Sequence, residues 1–102
     1  MKERTTGYVK VTLRGKTGAP ETPSSVVYRI DCLTTGLSVR GVTSMIPQAE
    51  QELILNANDT AIINRANAAE VKRITLIAVY GDSDDRLTGE FDYQVQRAPF
   101  AL

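Results

Sequence analysis

The stretch KRITLIAVYGDSDDRLTGEFDYQVQR, Lys72 to Arg97, decides how the chain folds. Two apolar runs flank a break rich in Gly and Asp, and the period of each run tells helix from strand. From Arg73 to Tyr80, Ile74, Leu76, Ala78 and Tyr80 recur at every second position, and β-branched residues dominate. From Glu90 to Gln96, Phe91, Tyr93 and Val95 alternate with acids and amides. A period of two with such residues fits a pleated, half-buried surface, so both runs read as strands of one hairpin.

The acids between them, Asp82, Asp84, Asp85 and Glu90, raise the question of a metal. A helix-loop-helix calcium site needs oxygen ligands at alternate positions, Gly at the sixth and Glu at the twelfth. Counted from Asp82, the loop offers Arg86 at the fifth position and Leu87 at the sixth, between strands rather than helices. Asp82, Asp84 and Asp85 are therefore expected in an exposed loop whose charges keep the tip solvated and discourage strand edges from pairing. No metal or other cofactor is expected.

Four more strands are expected outward from this hairpin. Tyr8 to Arg14 sets Val9, Val11 and Leu13 on one face, and Ser25 to Leu33 does the same with Val26, Tyr28, Ile30 and Cys32. The segment between them is rich in Gly and Pro, which fix or free φ and withhold donors, so the ladder stops there. Gly36 allows a tight turn into a strand from Leu37 to Thr43, and Pro47 ends that one. Glu50 to Asn56 follows, its alternation blemished by Gln51 on the face of Leu53 and Leu55. Residues 56–70 are rich in Asn, Asp and Ala, poor strand formers, and are expected to hold a helical turn capped by Asn58 or Asp59 that carries Ile62 and Ile63 inward. Short strands at regular spacing without a helical period imply an all-β, antiparallel two-sheet sandwich of immunoglobulin or fibronectin type III kind, with a small barrel as the alternative.

A chain of 102 residues suits one domain, with an ordered core from about residue 8 to 97 and short terminal arms. Twelve Lys plus Arg balance 12 Asp plus Glu, so no net field draws nucleic acid or anionic lipid, and neither is expected as a partner. The chain lacks His and has a single Cys, which removes His-based nucleophilic mechanisms and multi-thiolate zinc sites. Cys32 belongs to an apolar strand face and reads as a core residue. Asp31, Asp59, Glu70 and Asp92 are scattered too widely in sequence to argue an acid-base pair. No catalytic residues are expected, and the chain is read as a protein without enzymatic turnover.

The feature that suggests a partner lies in the first run of the hairpin. With Ile74, Leu76 and Ala78 facing the core, Ile77 and Val79 face the other way, and with the tail residues Phe100 and Leu102 they could form an apolar patch. Either another subunit covers Ile77 and Val79, or the chain's own loops do.

Three runs resemble small proteins of tailed-phage and prophage structural modules, which carry immunoglobulin- or fibronectin-like accessory domains. These runs are PSSVVYRIDCLTTGLSVR from Pro23, LILNANDTAIIN from Leu53 and EVKRITLIA from Glu70, with YRIDCLTTG and the NDTAI loop the most telling parts. The resemblance spans about Tyr8 to Val95 and departs at Val42, where an aromatic is expected. It implies a virion part made in the bacterial cytoplasm: a head decoration, neck or tail accessory that binds neighbouring capsid, neck or tail proteins as a homo-oligomer. The alternative is a host-surface or glycan-binding module served by loops Gly15 to Pro23 and Gly81 to Gly89. The arms, Met1 to Gly7 and Ala98 to Leu102, are expected to order only on the particle.

Overall fold

The computed structural model describes residues 1–14, 18–81 and 85–98, together with the backbone but not the side chain of Asp85. These residues form six strands: β1 (Gly7–Thr12), β2 (Ser25–Cys32), β3 (Ser38–Met45), β4 (Glu50–Leu55), β5 (Ala69–Tyr80) and β6 (Asp85–Gln96). Every pairing between them is antiparallel. β3-β2-β5-β6 make a four-stranded sheet, and β1 and β4 make a two-stranded sheet that packs on it. The all-β, two-sheet reading of the sequence holds. Twelve strand residues at about 3.4 Å each span about 40 Å, so the β5–β6 hairpin sets the long axis of a molecule measuring 48 × 21 × 19 Å.

The core follows from alternation. Val26, Tyr28 and Ile30 of β2 and Ile74, Leu76 and Ala78 of β5 point inward against Leu53 and Leu55 of β4, with Leu13 closing one side. Gln51 is only 7% exposed on the same face of β4, and it is tolerated there because its Nε2 donates to Ile46 O and Gln48 O. A polar residue in an apolar row is thus the clip that holds the turn before its own strand. Cys32 is buried at the end of the β2 row.

Both hairpin strands are longer than their apolar patterns suggest. β5 begins at Ala69 because its inward row continues from Ile74 to Lys72 and Glu70, charges that hide the period. β6 begins at Asp85, opposite Tyr80, so Leu87 to Gly89 are strand rather than loop. Asp82 and Asp84 of the expected exposed loop lie outside the described residues, as do Phe100 and Leu102 of the tail.

Residues 56–70 differ from expectation in another way. The carbonyl of Asn56 accepts from the N–H groups of Asp59 and Thr60 at 3.0 and 3.3 Å, while its Oδ1 accepts from Asn58 and Asp59 N–H. Asn56, not Asn58 or Asp59, is the cap, and its turn does not propagate into a helix. Ile62 is buried, but Ile63 is 38% exposed. The N-terminal arm, expected to order only on a particle, is instead fixed by its own chain: Lys2 bridges to Gln96 in parallel, and Glu3 is buried with its Oε1 accepting from Ala98 N–H at 2.9 Å.

Candidate functional site

Two features of the molecule could carry function: a buried charged cluster beneath residues 56–70, and the outward face of the four-stranded sheet. The cluster begins where the apolar row of β5 gives way to Lys72 and Glu70, both essentially without solvent contact. Their neighbours across the ladders are Cys32 and Tyr93 for Lys72 and Val95 for Glu70. The Glu70 carboxylate accepts from Ile63 N–H at 2.7 Å, Asn64 N–H at 3.0 Å and Asn67 Nδ2 at 3.0 Å. Lys72 Nζ donates to Ala61 O at 2.5 Å and stands 3.9 Å from Glu70 Oε1.

Asp59 extends the cluster. Its Oδ2 accepts from Asn56 N–H at 2.8 Å and pairs with Arg40, which also donates to Tyr28 Oη. Tyr93 Oη donates to Asp59 O at 2.8 Å, and Thr60 Oγ1 donates to Thr5 O at 2.8 Å. Arg65 pairs with Glu3, tying the same segment to the N-terminal arm.

The electrostatics follow from these partners. Burial by itself raises the Glu70 carboxyl, but the N–H groups of Asn64 and Ile63, the Asn67 amide and Lys72 outweigh it and hold it below its ordinary value. Burial lowers the Lys72 ammonium against the opposing pull of Cys32, Glu70 and Asp59. Burial also raises the Tyr93 phenol, with Asp59 adding to the effect. Perturbed groups of this kind mark active sites in other proteins. Here the partners are mostly backbone groups of residues 56–64, so the cluster's geometry fastens an irregular segment to the sheet. Of the carboxylates noted in the sequence, Asp59 and Glu70 are brought into this one network, while Asp92 and Asp31 lie on the outward face in pairs with Arg73 and Arg29. Among the described residues, no three His, Cys, Asp or Glu side chains stand where they could hold a metal ion.

Sequence reading missed Lys72 as a member of this cluster. The available signal was parity: two and four residues back from Ile74 on the inward row lie Lys72 and Glu70.

The outward face of the four-stranded sheet carries Ile77 and Val79. Val27 lies opposite Ile77 on β2, and Ser25 opposite Val79, so the three apolar residues are neighbours there. All three are half-buried, walled by adjacent strands. Ion pairs lie toward one end of this face: Arg73 Nε and Nη2 donate to Asp92 at 2.8 and 3.1 Å, and Arg29 Nη2 donates to Asp31 at 2.8 Å. The apolar group is thus flanked by charge at that end of the sheet.

Elsewhere, an open depression of about 440 Å³ lies along β1 and β4 beside Lys10, Thr12, Gln48, Glu50 and Glu52. Its walls are solvated charges and strand backbone. Comparisons with protein-family models, with curated proteins and with solved structures return no match to this chain.

Proposed function

We propose that the protein is a non-catalytic structural component of a tailed-phage particle, a head decoration or a neck or tail accessory, which binds neighbouring virion subunits. Its outward sheet face is the adhesive surface. The observation that carries this reading is the apolar group Val27, Ile77 and Val79, flanked by the Arg29–Asp31 and Arg73–Asp92 pairs, on the face turned away from the protein's own core. The resemblance of the runs around YRIDCLTTG and NDTAI to phage structural modules supplies the context.

An immunoglobulin or fibronectin type III ancestry belongs to the same proposal. The order β3-β2-β5-β6 is the order of the C′, C, F and G strands in such sandwiches, and the β1–β4 pair then corresponds to B and E. Under this correspondence no counterpart of the outer strands of the smaller sheet lies among the described residues. The narrower sheet explains why Leu87 and Phe91, on the inward face of β6, are left partly uncovered. The glycan- or host-binding alternative is weakened where its second loop shrinks, since residues 85–89 are strand.

The test is to purify particles from cells carrying the gene and to look for the protein by mass spectrometry. Presence of the native chain, and its loss with Ile77→Asp or Val79→Asp while the purified variants keep their far-UV spectra, supports the proposal. Absence of the native chain from particles overturns it, and unfolding of both variants shows that these residues serve the monomer instead.

A further inference from the structure

The four-stranded sheet ends in two edges that are treated differently. β3 carries two register irregularities against β2, the device that spoils an edge for pairing. β6 runs against β5 from Asp85 to Gln96 without any. Part of its outer edge is occupied by the N-terminal arm: the Met1 ammonium donates to Gln94 O at 2.9 Å, Gln96 N–H donates to Met1 O at 2.8 Å, and Glu3 N–H donates to Gln96 O at 2.9 Å. Among the described residues, nothing pairs with the edge from Asp85 to Tyr93.

Those arm contacts also reveal which groups the edge presents. Gln94 and Gln96 point main-chain groups away from β5, and in an unbroken antiparallel ladder this property recurs at every second residue. Arg86, Thr88, Glu90 and Asp92 therefore offer N–H and C=O groups outward. On the inward face the same edge exposes Leu87 and Phe91, at 38% and 36%, because the two-stranded sheet is too narrow to reach them. The Phe91 ring lies over Gly89, where a Cβ would stand 3.2 Å from it.

We propose that two copies of the chain pair antiparallel along this edge, about a twofold axis at Gly89, joining their sheets into one of eight strands. Arg86 of one copy then stands opposite Asp92 of the other, Thr88 opposite Glu90, Leu87 opposite Phe91, and Gly89 opposite Gly89. Three independent features select this register. The outward-pointing residues pair with one another, which restricts the axis to whole residues. The open edge runs from residue 85 to residue 93, and its midpoint is 89. Moving the axis to Glu90 sets that carboxylate against its own copy and drives Gln94 into the arm; moving it to Thr88 shortens the pairing and leaves Leu87 facing a glycine.

Charge agrees with the choice. Within one copy Arg73 serves both Asp92 and Glu90, the latter at 3.6 Å, so two carboxylates share one guanidinium. Arg86 of the second copy brings a second cation to them. The Leu87–Phe91 contacts fall at positions that share no hydrogen bonds, where side chains approach most closely. Gly89 leaves the space over the axis to the two Phe91 rings. An isologous contact of this kind is closed, so it yields dimers rather than filaments. It is centred on the β6 edge rather than on Val27, Ile77 and Val79, shares only the Arg73–Asp92 pair with the proposed virion contact, and does not depend on that reading.

The experiment is sedimentation equilibrium of the full chain up to about 1 mM, with Thr88→Pro as the test variant. Proline at Thr88 removes only an outward N–H, a substitution that an edge strand tolerates. The native chain is expected to dimerise, and Thr88→Pro to weaken the dimer by at least about tenfold. In hydrogen exchange on the native chain, the amides of Arg86, Thr88, Glu90 and Asp92 are expected to slow as concentration rises, a readout that stands if Thr88→Pro fails to fold. A monomer across the whole range overturns the proposal. A dimer that survives in folded Thr88→Pro, or that forms without slowing those amides, also overturns it.

Discussion

Removing the Glu70 carboxylate tests how the buried cluster holds the molecule together. Glu70→Ala leaves Lys72 Nζ buried without its nearest carboxylate, and it strands the Ile63 and Asn64 N–H groups and the Asn67 amide that Glu70 now accepts from. Breaking one side of a buried pair costs about 3–5 kcal/mol. For a domain whose whole stability is about 5–15 kcal/mol, that is a large share. With a urea m-value of about 1–3 kcal/mol/M, the unfolding midpoint is expected to fall by about 2 M. The double variant Glu70→Ala/Lys72→Met supplies the control, because the uncompensated ammonium is gone and what remains is mainly Ala61 O and the loop N–H groups without partners. It is expected to be more stable than Glu70→Ala alone. Urea titrations followed by far-UV circular dichroism measure both. A loss below about 1 kcal/mol in Glu70→Ala, or additive effects in the double variant, would refute the reasoning.

The same groups set the response to pH. Because Glu70 is held below its ordinary 4.5, its stabilisation is complete above that value and is lost as pH falls through the lower folded value, so Glu70→Gln is expected to flatten the acid limb of midpoint against pH. Lys72 lies below its ordinary 10.5, so the unfolded chain binds the extra proton and stability rises with pH in the window below 10.5; the raised Tyr93 phenol instead costs stability above pH 10.0. Gln51→Ala strips the donor from Ile46 O and Gln48 O and is expected to cost about 1–2 kcal/mol in the same titration. Gly36 sits at φ +74°, so Gly36→Ala is expected to cost about 1–2 kcal/mol, whereas Gly41→Ala, with open space around it and no positive φ, serves as the neutral comparison.

Much of the candidate surface was legible before the fold was known. Once Ile74, Leu76 and Ala78 are assigned inward, a period of two leaves Ile77 and Val79 outward, and the structure sets them there beside Val27. Val27 was not legible as their neighbour, since that depends on which strand pairs with β5 and in what register. The buried cluster was less accessible still. A Lys and a Glu at a strand's start read as surface charges, and their burial depends on a covering segment that joins strands of different sheets. Asp59 and Lys72 are thirteen residues apart in the chain and share one network only because residues 56–64 fold back over β5.

Local sequence determined the elements whose physics is local: strand faces from alternation, the β2–β3 turn from a glycine able to take positive φ, and the hairpin from two apolar runs around a polar break. These depend on sterics and solvation within a few residues, so the chain states them directly. Tertiary structure alone decided the rest. That the second sheet has two strands in the described residues, that β6 is left with an open edge and uncovered Leu87 and Phe91, and that Lys72 and Glu70 lie buried are all outcomes of which segment covers which. Burial is a property of the neighbour as much as of the residue, and the identity of that neighbour is set by long-range pairing that no local pattern encodes.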